Sequence, residues 1–509
     1  MKILRTVAAG LTVGVTLVGA AWAGVTNVPP GASSAPARPE PNLLVGAAKA
    51  LITPRPADYG GTWVTDPALC RTLDPGYIAA LAGAPEEGAH LAATGNPWPE
   101  NPNCIYQGGF GIGPMNPVSS FDQELGLWVR AIAIGDGTDT AVLAIVDGEG
   151  WMADYHNKCT DCGALEIGAA VGSELGIDPA GIVIAATHSH AAPDFIGGWG
   201  FVPDWYMQQV SDTIRQTIRD AVHAMEPAVV EVGEVQARPF NHERRDTYRS
   251  AEEQQAGWLR AYVPGSRRTP ARVIATVGAY AAHPTTHGTN GGVAHADWVG
   301  EFEHALEGRF GGVGLHFMTG LGNMSAGGET GPGLAGLIPP VGAGIPIARG
   351  DVSSARTTWR QPATNVPLST LGAAGFFDRQ FDEMPASVSV GKSETAPCVS
   401  ASPVSVNVAA GAIRIGDELA ITTGPGELFA NLTNTIKEQS PALVTMPLSQ
   451  ANDALGYIPQ SFEMSPIGQQ GLGFFFGGFL IVNYEDSYGI DRCFGDMVLE
   501  QTLGMLNPG

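Results

Sequence analysis

The chain has 509 residues, 44% hydrophobic and 15% charged, a balance that excludes a disordered chain and suits one large or two ordinary domains. With 27 Lys and Arg against 50 Asp and Glu, the formal charge of −23 argues against nucleic acid as a partner. The 68 glycines and 38 prolines imply many turns and long shaped loops.

Lys2 and Arg5 precede an apolar run over 7–18, and Ala21-Trp22-Ala23 then gives a small-x-small cleavage pattern. This is the layout of a secretory signal peptide over 1–23, too short and wrongly flanked for a membrane span. The mature chain is therefore expected to be secreted, and it is expected to be soluble because no other run of 18 apolar residues occurs. Loss of Lys2 and Arg5 takes the charge from −23 to −25. Residues 24–42, rich in Pro, Ala and Ser, read as a flexible leader to a folded domain over 43–509. Six cysteines in an exported chain point to disulfides, expected in chain order as Cys70–Cys104, Cys159–Cys162 and Cys398–Cys493. Cys159-Thr-Asp-Cys162 reads as a short local bridge, since it lacks a thioredoxin-like context and a second pair for a four-ligand zinc site.

Strands are expected at 43–48, at 127–134 and 141–146 around the turn 135–138, and at 182–186, 229–235, 272–281, 315–321, 404–415 and 418–423. Helices are expected at 164–175, at 205–225 with Met207, Val210, Ile214, Ile218 and Val222 on one face, after Gly300, and at 497–506. The Gly/Pro-rich stretch 330–385 reads as an extended wall of the site. Strands alternating with helices imply an α/β fold of layered mixed sheets.

The chemistry gathers at strand exits. The apolar run 182–186 ends in Thr187-His188-Ser189-His190, and Pro193 cannot continue a ladder. Carboxyl ends of strands are where ligands bind in open α/β sheets, and neutral imidazole is the commonest side-chain metal ligand. A second strand exit carries His283, His287 and, further on, His295 and Asp297. Asp147-Gly-Glu149 places acids at another. Ser325 stands among Gly322, Gly327 and Gly328, Glu427 follows a tight turn, and Tyr457 closes Asn452-Asp-Ala-Leu-Gly-Tyr457.

Together with Leu44–Pro54, Ala186-Thr-His-Ser-His190, Gly322-Asn-Met-Ser325, Pro425-Gly-Glu427 and Asn483-Tyr484-Glu485, these motifs resemble the catalytic domain of the neutral ceramidase family, from Leu43 nearly to the end. The resemblance implies one catalytic zinc held by His188, His283, Glu427 and Tyr457. It places His190 on the substrate carbonyl, Ser325 in the active site, Tyr484 as a carbonyl-polarising group, and Arg244, or the adjacent Arg245, beside them. Such a site would cleave an N-acyl amide bond, in ceramide or a related lipid, by metal-activated water. The residues by themselves also allow Ser325 to attack and form an acyl-enzyme. The implied partners are a lipid or small-molecule substrate and a transient membrane surface.

The chain departs from that family in three places. It stops soon after Tyr484, so the family's C-terminal immunoglobulin-like domain is expected to be absent. Ala454 stands where the family often has Tyr, and the segment between Tyr457 and Tyr484 is long. That segment includes Phe474, Phe475, Phe476 and Phe479 among glycines, and it reads either as a buried strand pair or as an apolar wall for an acyl chain. These departures bear on ceramide as substrate more than on hydrolysis. A zinc hydrolase of another amide or ester, and a binding protein that has lost activity, are the competing readings. The metallo-β-lactamase pattern is not met, because Ala192 and Pro193 stand where Asp and His are needed.

Overall fold

The computed structural model describes residues 40–70, 101–110, 113–156, 158–245, 251–373, 377–379, 381–391, 397–464 and 484–507. The expected signal peptide, nearly all of the leader and the phenylalanine-rich segment lie outside the described residues.

Strands β1 (Leu43–Leu51), β2 (Trp128–Gly135), β3 (Thr140–Val146), β4 (Ile182–Ala186), β5 (Glu226–Gln236), β6 (Gln255–Val263), β7 (Arg272–Tyr280) and β8 (Val313–Met318) form one mixed sheet. Its order is β8-β7-β6-β5-β1-β2-β3-β4, and the short strand Ile345–Pro346 joins β5. Successive side chains of a strand point to opposite faces, and here both faces are buried. Val142, Ala144 and Val146 of β3 face the helical side, whereas Ala141, Leu143 and Ile145 face a second sheet. Such a strand reads as a continuous apolar run rather than an alternating one.

Helices α1 (Ala164–Leu175) and α2 (Asp204–His223) cover that helical side. α2 buries Tyr206, Met207, Val210, Ile214 and Ile218, the stripe expected of a 3.6-residue period. α3 (Asp297–Phe310) covers the β6-β7-β8 end through Trp298, Phe302 and Leu306 against Trp258 and Tyr280.

The stretch 330–385 is not the extended wall expected from its composition. It forms α4 (Thr330–Leu337), β9 (Val352–Pro362), α5 (Val366–Ala373) and the start of β10 (Asp382–Gly391). Close approach explains Gly331 of α4. A Cβ on Gly331 would lie 2.5 Å from Trp298 O and 2.7 Å from Glu301 Cβ, so α4 rests directly on α3.

β10 and β9 both pair with the long β11 (Cys398–Ile415), which continues through β12 (Leu419–Thr423) to β13 (Val444–Leu448). Ile413, Ile421 and Met446 of this second sheet pack on Leu143, Val183 and Val277 of the first. On its outer face, Val408 and Ala412 pack with Leu432 and Ile436 of α6 (Ala430–Gln439) and Phe494 and Val498 of α7 (Phe494–Leu506). The architecture is α/β in four layers: helices, mixed sheet, mixed sheet, helices. All six cysteines pair in chain order, as Cys70–Cys104, Cys159–Cys162 and Cys398–Cys493. Among the described residues no helix is long and apolar enough to cross a membrane.

Candidate metal centre

Three neighbouring pairs, β3–β4, β7–β8 and β12–β13, are parallel, so within each pair the carboxyl ends lie together. Bridges between Ala185 and Ala451, and between Leu321 and Phe429, tie the exits of the two sheets to one another. The candidate residues emerge from these exits.

His188 lies two residues beyond β4, in a left-handed conformation with φ 58°. Backbone strain of this kind in a residue with a side chain collects at functional sites. Its Nδ1 meets Glu149 O at 2.7 Å, which fixes Nδ1 as the donor and turns Nε2 to Glu427 Oε2 at 3.5 Å. His283, beyond β7, repeats the arrangement. Its Nδ1 meets Met324 O at 3.2 Å and its Nε2 lies 3.0 Å from the same Glu427 oxygen. His190 completes a trio whose ligating atoms all lie within 4.8 Å of one another.

Glu427 is placed by the two-residue strand Glu427–Leu428, which pairs in parallel with Tyr457–Ile458 and sets Glu427 opposite Tyr457. Arg244 Nη2 donates to the Tyr457 hydroxyl at 2.9 Å, and its Nε donates to Glu485 at 3.0 Å. Arg245 instead turns to Asp486 at 2.9 Å and to Glu463 O at 3.1 Å, so of the two arginines Arg244 is the one at the cluster. Ser325, in the strand Met324–Ala326, bridges to His283. Tyr484 opens the turn Tyr484–Ser487, and its side chain lies outside the description.

Burial alone would raise the Glu427 carboxyl, but His188 and His283 outweigh it and hold the group far below the usual carboxylate range. Burial pushes His283 down to about 4, with Arg244 adding to the effect. On His188 burial is overcome by Glu149 and Glu427, which hold it at about 9. Nitrogen and carboxylate-oxygen donors converge here in a buried place, and His190 has both ring nitrogens without a hydrogen-bond partner. Buried polar atoms are ordinarily satisfied, and this donor set fits a divalent cation such as zinc.

Glu149 was not among the site residues expected from sequence. Its signal was the acidic pair after the 141–146 strand. In the structure it touches both residues of the His-x-His, with Oε1 3.7 Å from His188 Nδ1 and 3.6 Å from His190 Nε2.

By sequence, the chain matches no family model and no curated protein. By structure it aligns with neutral ceramidase from Pseudomonas aeruginosa, with a TM-score of 0.60 and 13% identity over 92% of this chain and 74% of that one. The fold is ceramidase-like. A second aligned structure is a ceramidase complexed with C2, with a TM-score of 0.58 and 13% identity over 92% of this chain and 75% of that one. At this identity the likeness is one of fold, and the chemistry of this ceramidase-like chain rests on its own residues.

Proposed function

We propose that the chain is an exported, zinc-dependent amidohydrolase that cleaves an N-acyl bond, with ceramide or a related N-acyl lipid as the first substrate class. The observation that carries this reading is the convergence of His188 Nε2 and His283 Nε2 on one buried Glu427 oxygen, at 3.5 and 3.0 Å. The ceramidase-like fold supports the choice of substrate class. His188, His283, Glu427 and Tyr457 would hold the ion. When bound, zinc acidifies water toward ~7 and polarises a carbonyl.

The chain's own residues supply the rest. Glu149 O and Met324 O orient the two imidazoles. Arg244 donates to the Tyr457 hydroxyl and so positions it. Ser325, adjacent to His283, orients the scissile group. His190 faces the same centre and can donate to developing negative charge. A lipid substrate would be taken from a membrane surface.

The test is metal analysis of the purified protein together with release of fatty acid from labelled ceramide and from a panel of N-acyl amines. His188→Ala and His283→Ala should each lose bound zinc and hydrolysis. Full zinc and full activity in both variants would sink the assignment. Amino-terminal sequencing of protein recovered outside the cell should begin at Gly24, and an intact Met1 there would remove the proposed cleavage.

A further inference from the structure

Residues 449–452 run along the seam between the two sheets. Ser449 N donates to Met318 O at 2.8 Å and Asn452 N donates to Ile184 O at 2.7 Å, so the segment lies against β8 and β4. Between them, Gln450 N donates to Gly426 O at 2.8 Å, one residue before Glu427. Gln450 O accepts from Ala186 N at 3.1 Å, two residues before His188. Gln450 is held in the left-handed region, with φ 51°. A residue with a side chain keeps that conformation only where its surroundings impose it, and such positions collect at functional sites.

The side chains of this segment divide. Ser449 Oγ accepts from Leu428 N at 3.1 Å, and Asn452 Oδ1 accepts from Ile184 N at 3.0 Å. Both serve the backbone of the seam. Gln450, 2% exposed, instead turns its amide to Nδ1 of His188, at 3.2 Å. That nitrogen already donates to Glu149 O at 2.7 Å, and a carbonyl can only accept. The same N–H therefore also meets Gln450, in a three-centre bond, and the amide must present its oxygen. The two ends of an amide have the same shape, so packing permits this orientation.

The His188 ring thus has two acceptors at Nδ1, one from each sheet. Glu149 follows β3 of the first, and Gln450 follows β13 of the second, as Glu427 and Tyr457 do. Acceptors of this kind fix the tautomer and the direction of a ligating imidazole and raise its basicity. We propose that Gln450 is a positioning residue of the metal centre, whose amide oxygen sets the His188 ring so that Nε2 addresses the ion it shares with Glu427. This inference rests on the metal-dependent reading above and adds a residue outside the ligand set.

The experiment measures the zinc dissociation constant of the chelator-stripped full chain by competition with a chromophoric chelator, with Co2+ absorption as a second readout. Gln450→Met keeps the length and bulk but leaves only a weak acceptor, so zinc affinity should fall by about 10- to 100-fold and the Co2+ bands should shift. Gln450→Glu keeps an oxygen at the same reach and should bind zinc at least as tightly as wild type. Apo melting temperatures show whether the variants fold. If Gln450→Met does not, Gln450→Asn, which tolerates the left-handed backbone but falls one methylene short, carries the same expected loss. Wild-type affinity and an unchanged Co2+ spectrum in the folded variant would overturn the proposal. So would an equal loss in Gln450→Met and Gln450→Glu, because the residue would then act through packing alone. Both of these results leave the hydrolase reading standing, whereas a wild-type chain that binds no zinc would remove both.

Discussion

Ser325 joins the backbone of His283 by a parallel bridge, and the next turn carries Gly327 and Gly328. Its hydroxyl is therefore placed by the same backbone that places an expected ligand. Ser325→Ala should lower turnover by at least ~10²-fold, the scale of one oriented catalytic group, with zinc content unchanged. Activity near wild type would reduce Ser325 to packing. His316 makes a different statement. It is fully buried between Trp298 and Phe302, with neither ring nitrogen partnered, and burial pushes it down to about 3. Its folded value lies below the unfolded one of about 6.5, so its contribution to stability is present at neutral pH and is lost as pH falls through that window. Between pH 8 and pH 4.5 the loss from this one group should be about 2–3 kcal/mol. Denaturant midpoints of wild type and His316→Phe at the two pH values measure it. Parallel pH dependences would show that His316 is not responsible.

Elements buried on both faces were legible, and elements shaped by contact were not. β4 and β3 announce themselves because both faces of each strand meet apolar layers. The His-x-His was legible for the same reason, since it stands where that apolar run stops. β6 was not read, because Gly257 and Arg260 interrupt its apolar run, and Arg260 is buried with its charge paired to Glu231 at 3.0 Å and a further bond to Pro339 O at 2.8 Å. Glu149 could be seen at a strand end, but that it meets His190 depends on the fold. The second histidine cluster divides in the same way. His283 joins the centre, while His287 and His295 stack on each other at 4.2 Å beside the start of α3. There Asp297 accepts from Thr286 N at 3.1 Å, Thr286 Oγ1 at 2.6 Å and His287 N at 2.8 Å, and so fastens the loop that follows His283. Asp297→Ala should cost about 3 kcal/mol or more, from three hydrogen bonds to a charged, buried acceptor. Unchanged denaturant stability would show that the loop is held by something else.

At the scale of the molecule, the centre is where two sheets are joined. His188 and His283 leave β4 and β7 of the first sheet, whereas Glu427 and Tyr457 follow β12 and β13 of the second. An ion held by both sets binds the folded chain and not the unfolded one, so it should stabilise the layered assembly by mass action. With free zinc at about 1,000 times its dissociation constant, the gain is about 4.1 kcal/mol. An unfolding entropy near 2.1 cal/mol/K per residue gives about 1.1 kcal/mol/K for 509 residues, so chelation should lower the melting temperature by about 4 °C. His283→Ala removes one of the two donors from the first sheet, and Glu427→Gln weakens one of the two from the second. Both variants should melt at nearly the same temperature with and without zinc, because each loses one of four expected ligands and with it the affinity on which the mass-action gain depends. A zinc-dependent rise of the full wild-type size in either variant would mean that the stabilising ion sits elsewhere, and the assignment of the centre to the joint between the sheets would fall.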